Sequence, residues 1–384
     1  MTKRFRVAAA AVVAASALAA TACAAGDGSS GGSSDEPIVL GVSGPLTGNQ
    51  AEYGKNWQEG FQIALDEING DGGVNGREVE IQFEDSQGEA SQATTIAQRF
   101  VSDDSILAVM GDFSSATSMV ASPLYQRGGL TQLGITNSHP DFTTTGDYIF
   151  ATSITQEVEG REVATKTGTL GENIAVFYLN TDWGTTAFDV IEDQIAEDGN
   201  NLVYSTGVEE ESTDFRPQLI EARDAGADVV LYYTYYSSTA LLAKQADQVG
   251  LDVPEVAVSS NYSPELLDLG GEAVEDIYLN TVFFPGADDP AVTDFVTRFN
   301  DEFGYDPNSF AAYAYDGVKQ LAWAAENAET TDRDGVRNAL AEGIDIPSVI
   351  FGPTTFNDER RIDDPTFTWL QVQDGDFVQT DDLN

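Results

Sequence analysis

Ser114, Ser115 and Thr117 follow an unbroken apolar run, Ile106-Leu107-Ala108-Val109-Met110, with only Gly111-Asp112-Phe113 between them. Hydroxyls and backbone N–H groups at the point where a strand gives way to a helix suit an anion. The first N–H groups of a helix have no internal partner, and the macrodipole turns its positive end toward whatever sits there. In open α/β sheets such strand ends are also where ligands bind. An ordinary helix cap worth about 1 kcal/mol uses the same residue types, so both roles are open at this level. Catalysis has less to work with. His139 is the one histidine, which restricts imidazole metal clusters and Ser-His-Asp triads to a single candidate, in a loop before Pro140 where ligand contact and plain exposure are both open. No Gly-x-Ser-x-Gly elbow, Walker loop or dinucleotide fingerprint occurs. The run Asn69-Gly70-Asp71-Gly72-Gly73-Val74-Asn75-Gly76 does not fit a calcium loop and reads as a glycine-rich turn. The expectation is a binding protein rather than an enzyme, with no metal and no cofactor.

Eighteen Lys and Arg stand against 64 Asp and Glu, a formal net charge of -46. Nucleic acid is excluded as a partner on that count. The acids are scattered over helix faces and turns, which describes a strongly solvated surface suited to a salty environment. The N-terminus reads as a targeting segment: Lys3, Arg4 and Arg6, an Ala-rich apolar stretch from Val7 to Ala20, and Thr21-Ala22 before Cys23, the only cysteine. Residues 1–22 are thus expected to be a signal peptide and 23–36, rich in Gly and Ser, a flexible tether. No later apolar run approaches the roughly 20 residues of a membrane span. The length beyond the tether suits two lobes better than one core.

The elements that must position the serines follow a βα rhythm. Ile38–Val42 is a first strand; Trp57, Phe61, Ala64, Leu65 and Ile68 recur at helical spacing; 77–84 alternates as a strand; 90–101 is a helix. The run at 106–110 is then the third strand and 130–135 the fourth, hence a parallel sheet with helices on both faces. After Phe150-Ala151-Thr152 the rhythm restarts with a strand at 174–179, a helix at 185–198, and further units to 279. Three helices near 292–303, 309–328 and 333–341 follow, and a hairpin through Asp374-Gly375 closes the chain. The fold class is α/β, with two doubly wound parallel-sheet lobes.

Gly41-Val42-Ser43-Gly44-Pro45-Leu46-Thr47-Gly48, Tyr53-Gly54, Asp66-Glu67-Ile68-Asn69 and Gly72 to Arg77 resemble, in order and spacing, the N-terminal signature of the type I periplasmic binding proteins of the leucine/isoleucine/valine-binding, branched-chain amino acid type. Gly111 to Ser115, Asp182-Trp183-Gly184, Asp214-Phe215, Lys244-Gln245-Ala246 and Ala314-Tyr315-Asp316-Gly317-Val318 continue the resemblance over nearly all of Pro37 to Asn384. It implies two lobes joined by three crossovers, near Thr152-Ser153, Phe283–Pro285 and Phe351–Pro353. Residues 37–152 plus 286–351 would form the N-terminal lobe and 153–285 plus 352–384 the C-terminal one. It implies an extracytoplasmic lipoprotein attached at Cys23, working as a monomer with an ABC permease and ATPase complex; a plain secretory cut at Ala22 or Ala25 is the alternative. Ser115 is the implied contact for a ligand carboxylate, and Thr136-Asn137-Ser138 the loop holding its polar head through Thr136 and Ser138. Tyr53, Trp183 and Tyr235 are the implied aromatic walls, with core packing as the alternative for Trp183 and for the cluster Tyr232, Tyr233, Tyr235 and Tyr236. Two departures matter. Ser114 stands where the family has a disulfide cysteine, and the segment Ser259-Ser260-Asn261-Tyr262, which offers Asn261 to the ligand, lacks the acid that pairs with an amino acid's ammonium. Branched-chain amino acids come first as ligand; an amide, a urea-like solute or an aromatic or keto carboxylate stands close behind unless Asp112, Asp182 or another acid reaches the ammonium. A sensory role on the same fold is a further alternative.

Overall fold

The computed structural model describes residues 36–287, 289–362 and 366–383. The segment expected to be a signal peptide, Cys23 and almost all of the expected tether lie outside the described residues.

Five parallel strands make the first sheet: β1 (Ile38–Gly44), β2 (Val79–Asp85), β3 (Ile106–Met110), β4 (Thr131–Gly134) and β5 (Ile149–Ala151), in the order β2-β1-β3-β4-β5. The helices between them are α1 (Ala51–Gly70), α2 (Ala90–Ser102) and α3 (Ser115–Arg127). The second sheet holds β6 (Asn173–Leu179), β7 (Asn201–Val208), β8 (Val229–Tyr233), β9 (Glu255–Ala257), β10 (Tyr278–Thr281), β11 (Thr368–Gln373) and β12 (Asp376–Gln379), in the order β12-β11-β10-β9-β8-β6-β7. Its strands β6 to β10 are parallel, and the closing hairpin adds antiparallel. Asp374 and Gly375 both take positive φ in that turn, as a two-residue hairpin loop needs. With this sheet go α4 (Gln156–Leu170), α5 (Asp182–Glu197), α6 (Arg216–Asp224), α7 (Tyr236–Val249) and α8 (Pro264–Gly270); α9 (Pro290–Phe303), α10 (Ser309–Asn327) and α11 (Arg333–Glu342) follow β10.

The apolar runs explain the layering. β8, Val-Val-Leu-Tyr-Tyr, is buried at all five positions, as a strand covered on both faces should be. Ile96 and Phe100 of α2 and Ala121 and Tyr125 of α3 join one core cluster with Val109 and Ile149; Leu40, Val42, Met110 and Leu133 join another with Trp57 and Phe61 of α1. The helices after the second sheet return to the first: α10 packs along α1, α9 touches α1, and α11 lies against β3 and β4. Asp316 shows why its motif stands in α10. Its buried carboxylate accepts from Ser348 Oγ (2.6 Å), Val349 N (2.8 Å) and Ile350 N (3.3 Å), pinning the segment after α11, while burial pushes the carboxyl up to about 7.

The helix α4 has no counterpart in the sequence reading, which ran from Thr152 straight to the strand at 174. Its buried face carries Gln156, Glu159, Gly160 and Thr167 beside only Val163 and Ala164, so it shows no apolar stripe.

Candidate functional site

Two glycines let the backbone converge on the start of α3. A Cβ on Gly111, whose φ is 94°, would lie 2.1 Å from Ser43 O, and one on Gly54 would lie 1.8 Å from Pro45 O. β3, β1 and α1 can therefore crowd together at the strand ends. The turn is then held by Asp112. Its carboxylate accepts from Ser43 Oγ and Phe113 N, both at 2.7 Å, and its carbonyl from Ser118 Oγ (2.8 Å) and Asn137 Nδ2 (3.0 Å). Burial raises this carboxyl against the pull of those donors. The capping role falls to Ser114, whose Oγ accepts from Thr117 N at 3.1 Å. Ser115, one residue on, accepts among the described residues from His139 N at 3.2 Å, beside helix N–H groups without internal partners.

The loop after β4 completes the polar side. Thr136 Oγ1 donates to Phe113 O (2.9 Å), and Ser138 Oγ accepts from Trp183 Nε1 at the start of α5 (3.1 Å). The buried guanidinium of Arg361 donates to the carbonyls of Asn137 (3.2 Å) and His139 and makes no ion pair among the described residues; desolvation pulls it down to about 10, which leaves it charged at neutral pH. His139 accepts at Nδ1 from Asp141 N (3.1 Å), so its Nε2 carries the proton toward Thr186 Oγ1 at 3.2 Å. Burial holds the ring below its usual pKa. With both ring nitrogens engaged, the imidazole is no base for Ser115, which it meets only through its backbone N–H.

These groups surround a cavity of about 60 Å³ between the two sheets, room for roughly four to six water-sized groups. Ser115, Thr136, Ser138, Trp183 and Tyr235 all line it. Trp183 lies flat against Tyr235 (centroids 5.1 Å apart, 19° between planes) and 4.3 Å from Tyr233; Phe113, 5.7 Å from Tyr235, and Phe310, 5.9 Å from Phe113, continue the aromatic lining. Two expected residues stand outside the lining. Tyr53 is fully buried behind Phe113, stacked on it at 4.1 Å, and its hydroxyl donates to Ser260 O at 2.9 Å, so it braces a wall and ties α1 to the second sheet. Asn261 is fully buried, its Nδ2 donating to Thr234 O (2.8 Å) and Val258 O (3.2 Å). Its amide nitrogen serves carbonyls left open where the strands end, and Asn261 does not line the cavity.

The family model for periplasmic binding proteins matches residues 37–376. The chain belongs to the periplasmic binding protein family. Leu/Ile/Val-binding protein homolog 2 of Brucella abortus is 27% identical over 357 residues, covering 90% of this chain and 94% of the relative. A putative branched-chain amino acid ABC transporter protein from Rhodospirillum rubrum, of known structure, is 34% identical with a TM-score of 0.67, over 90% of this chain and all of the other. An ABC transporter substrate-binding protein from Desulfitobacterium hafniense, solved in complex with Leu, is 26% identical with a TM-score of 0.77, again over 90% and 100%.

Within this periplasmic binding protein, the cavity residues that the sequence did not mark as ligand contacts include Phe113, Ser153, Glu159, Phe310 and Tyr313. Phe113 was signalled by its place in the turn before α3. Phe310 and Tyr313 open α10, which the core pattern had already claimed. Glu159 sits on the one helix that the apolar pattern missed. It is 4% exposed; its Oε1 accepts from Ser259 N (3.0 Å) and its Oε2 from Tyr233 OH (3.2 Å). Burial, the dominant influence, raises its pKa. Of the acids considered from the sequence, Asp112 turns to Ser43 and Asp182 is exposed; neither lines the cavity.

Proposed function

We propose that the chain is the substrate-binding component of an ABC importer, carrying a small amino acid or related carboxylate between two closing lobes to the permease and ATPase. The observation that carries this reading is the cavity itself, with the start of α3 and its hydroxyls on one side and aromatic rings from both sheets around it. A fixed polar end and an apolar wall are what a closed small-molecule site requires. The lobes are taken as 37–152 plus 286–351 and 153–285 plus 352–384, a division supported by the return of α9 to α11 to the first sheet. Contacts across the cleft support closure: besides Tyr53 to Ser260, Tyr236 OH donates to Asn49 O at 3.0 Å and Gln50 Nε2 to Glu210 at 3.1 Å. Only a solute touching both lobes can favour that closed state, by no more than its differential affinity.

The test is small-angle scattering with and without the solute that most raises the unfolding midpoint in a screen of amino acids, keto acids and amides. Compaction on saturation is the expected result; an unchanged radius of gyration contradicts hinge closure. Export and anchoring through Cys23 belong to the same proposal. Replacing Cys23 with Ala should release the protein from membranes into the medium, and a variant that still sediments with membranes contradicts the anchor.

A further inference from the structure

We infer that Glu159 receives the ammonium of the ligand, so that this cavity selects amine-bearing carboxylic acids over their keto and amide analogues. The inference rests on the cavity being the ligand site proposed above.

An ionised carboxylate offers about four acceptor positions. Ser259 N and Tyr233 OH donate to Glu159, and the side chains of Ser259 and Asn280 also face it, but all of these donors are neutral; among the described residues no Lys or Arg pairs with it. A carboxylate so deeply buried and without a cation is costly. The cavity that Glu159 lines also holds an unmet group: Ser153 Oγ is buried, lines the same space and has no hydrogen-bond partner among the described residues. An ammonium supplies three donors, enough for both oxygens. At the other side the start of α3 and Ser115 favour an anion. The cavity thus has opposite polarity on two sides, a match for a zwitterion that a keto acid or an amide lacks. The acid comes from α4, and the segment that lacks one plays a supporting part: the Ser259 N–H holds the Glu159 carboxylate in place. The missing acid of the second sheet is thereby replaced from a different element.

Calorimetric titration of the full chain decides the matter, with L-leucine, L-valine and L-phenylalanine as probes beside 4-methyl-2-oxopentanoate, 3-methyl-2-oxobutanoate and phenylpyruvate. The wild type should bind at least one amino acid about tenfold or more tighter than the matching keto acid, the scale of one well-placed charged hydrogen bond. Glu159→Gln should abolish that preference, chiefly by weakening the amino acid, and Ser153→Ala should reduce it about threefold. A keto acid that binds the wild type as tightly as its amino acid overturns the inference even if Glu159→Gln fails to fold, and so does a preference that survives both substitutions. Ser115→Ala separates the two levels. If it weakens keto-acid binding while no amine preference exists, the site stands and the role of Glu159 falls; if none of the six probes binds, both fall.

Discussion

Replacing Trp183 by alanine is expected to weaken binding of the best ligand by about 30-fold or more, the scale of a buried aromatic hot spot losing roughly 2 kcal/mol. The indole is one wall of the cavity, stacked against Tyr235, and its Nε1–H reaches Ser138 Oγ on the first sheet. Alanine removes the wall and the bond across the cleft together, so both contact with ligand and preference for the closed form suffer. Trp183→Phe keeps a ring but has no N–H to donate, and a loss of about fivefold, near 1 kcal/mol, is expected from it. Calorimetry on both variants with the same solute checks the order. Equal affinities for the wild type and Trp183→Ala would remove Trp183 from the site.

The unfolding midpoint is expected to climb by on the order of 10 °C between about 0.05 M and about 2 M sodium chloride, because salt screens a self-repelling surface. The chain carries 64 acids, and among the described residues few of them pair with a cation. Ion pairs such as Arg161–Glu197, Arg216–Asp214 and Arg298–Asp294 are about half exposed, where each contributes little. The pH dependence has a definite sign. Burial pushes Glu255 up to about 8, its carboxylate accepting from Tyr232 OH at 2.6 Å, and Asp316 up to about 7. Both pKa values lie above those of the unfolded chain, so the folded protein holds more protons, and stability falls as pH rises from about 5 to about 8. The midpoint at pH 6 should therefore exceed that at pH 8, and Glu255→Gln should shrink the difference. A flat or falling salt dependence, or a midpoint that rises from pH 6 to pH 8, contradicts this reading of the charges.

What was legible in the chain was whatever has a period. The strand at 106–110, the turn and the helix start after it stand where their apolar run and hydroxyls place them, with Ser114 as cap and Ser115 free of that duty. The βα alternation announced parallel sheets, but the antiparallel addition of β11 to β10 is a pairing across 86 residues of chain (Thr281 to Thr368) that no local pattern encodes. The aromatic walls were half legible. Trp183 and Tyr235 line the cavity, whereas Tyr53 packs one layer behind, because Phe113, from the turn, takes the place at the surface. Glu159 was invisible for a physical reason. α4 buries polar groups on purposeful hydrogen bonds, Gln156 Nε2 to Trp183 O (3.0 Å) and Glu159 to Ser259 N, instead of an apolar stripe. A pattern search built on hydrophobic periodicity passes over such a helix. Polar residues that defeat the pattern mark the site here.

A crystal structure of the chain grown with the solute that most raises its midpoint tests the central claim directly. The expected result is one molecule of that solute in the cavity between the two sheets, its carboxylate within hydrogen-bond distance of Ser115 and the first N–H groups of α3, with Trp183 over its apolar part. Solute bound anywhere else, or a saturated protein whose cavity holds only water, would contradict the account.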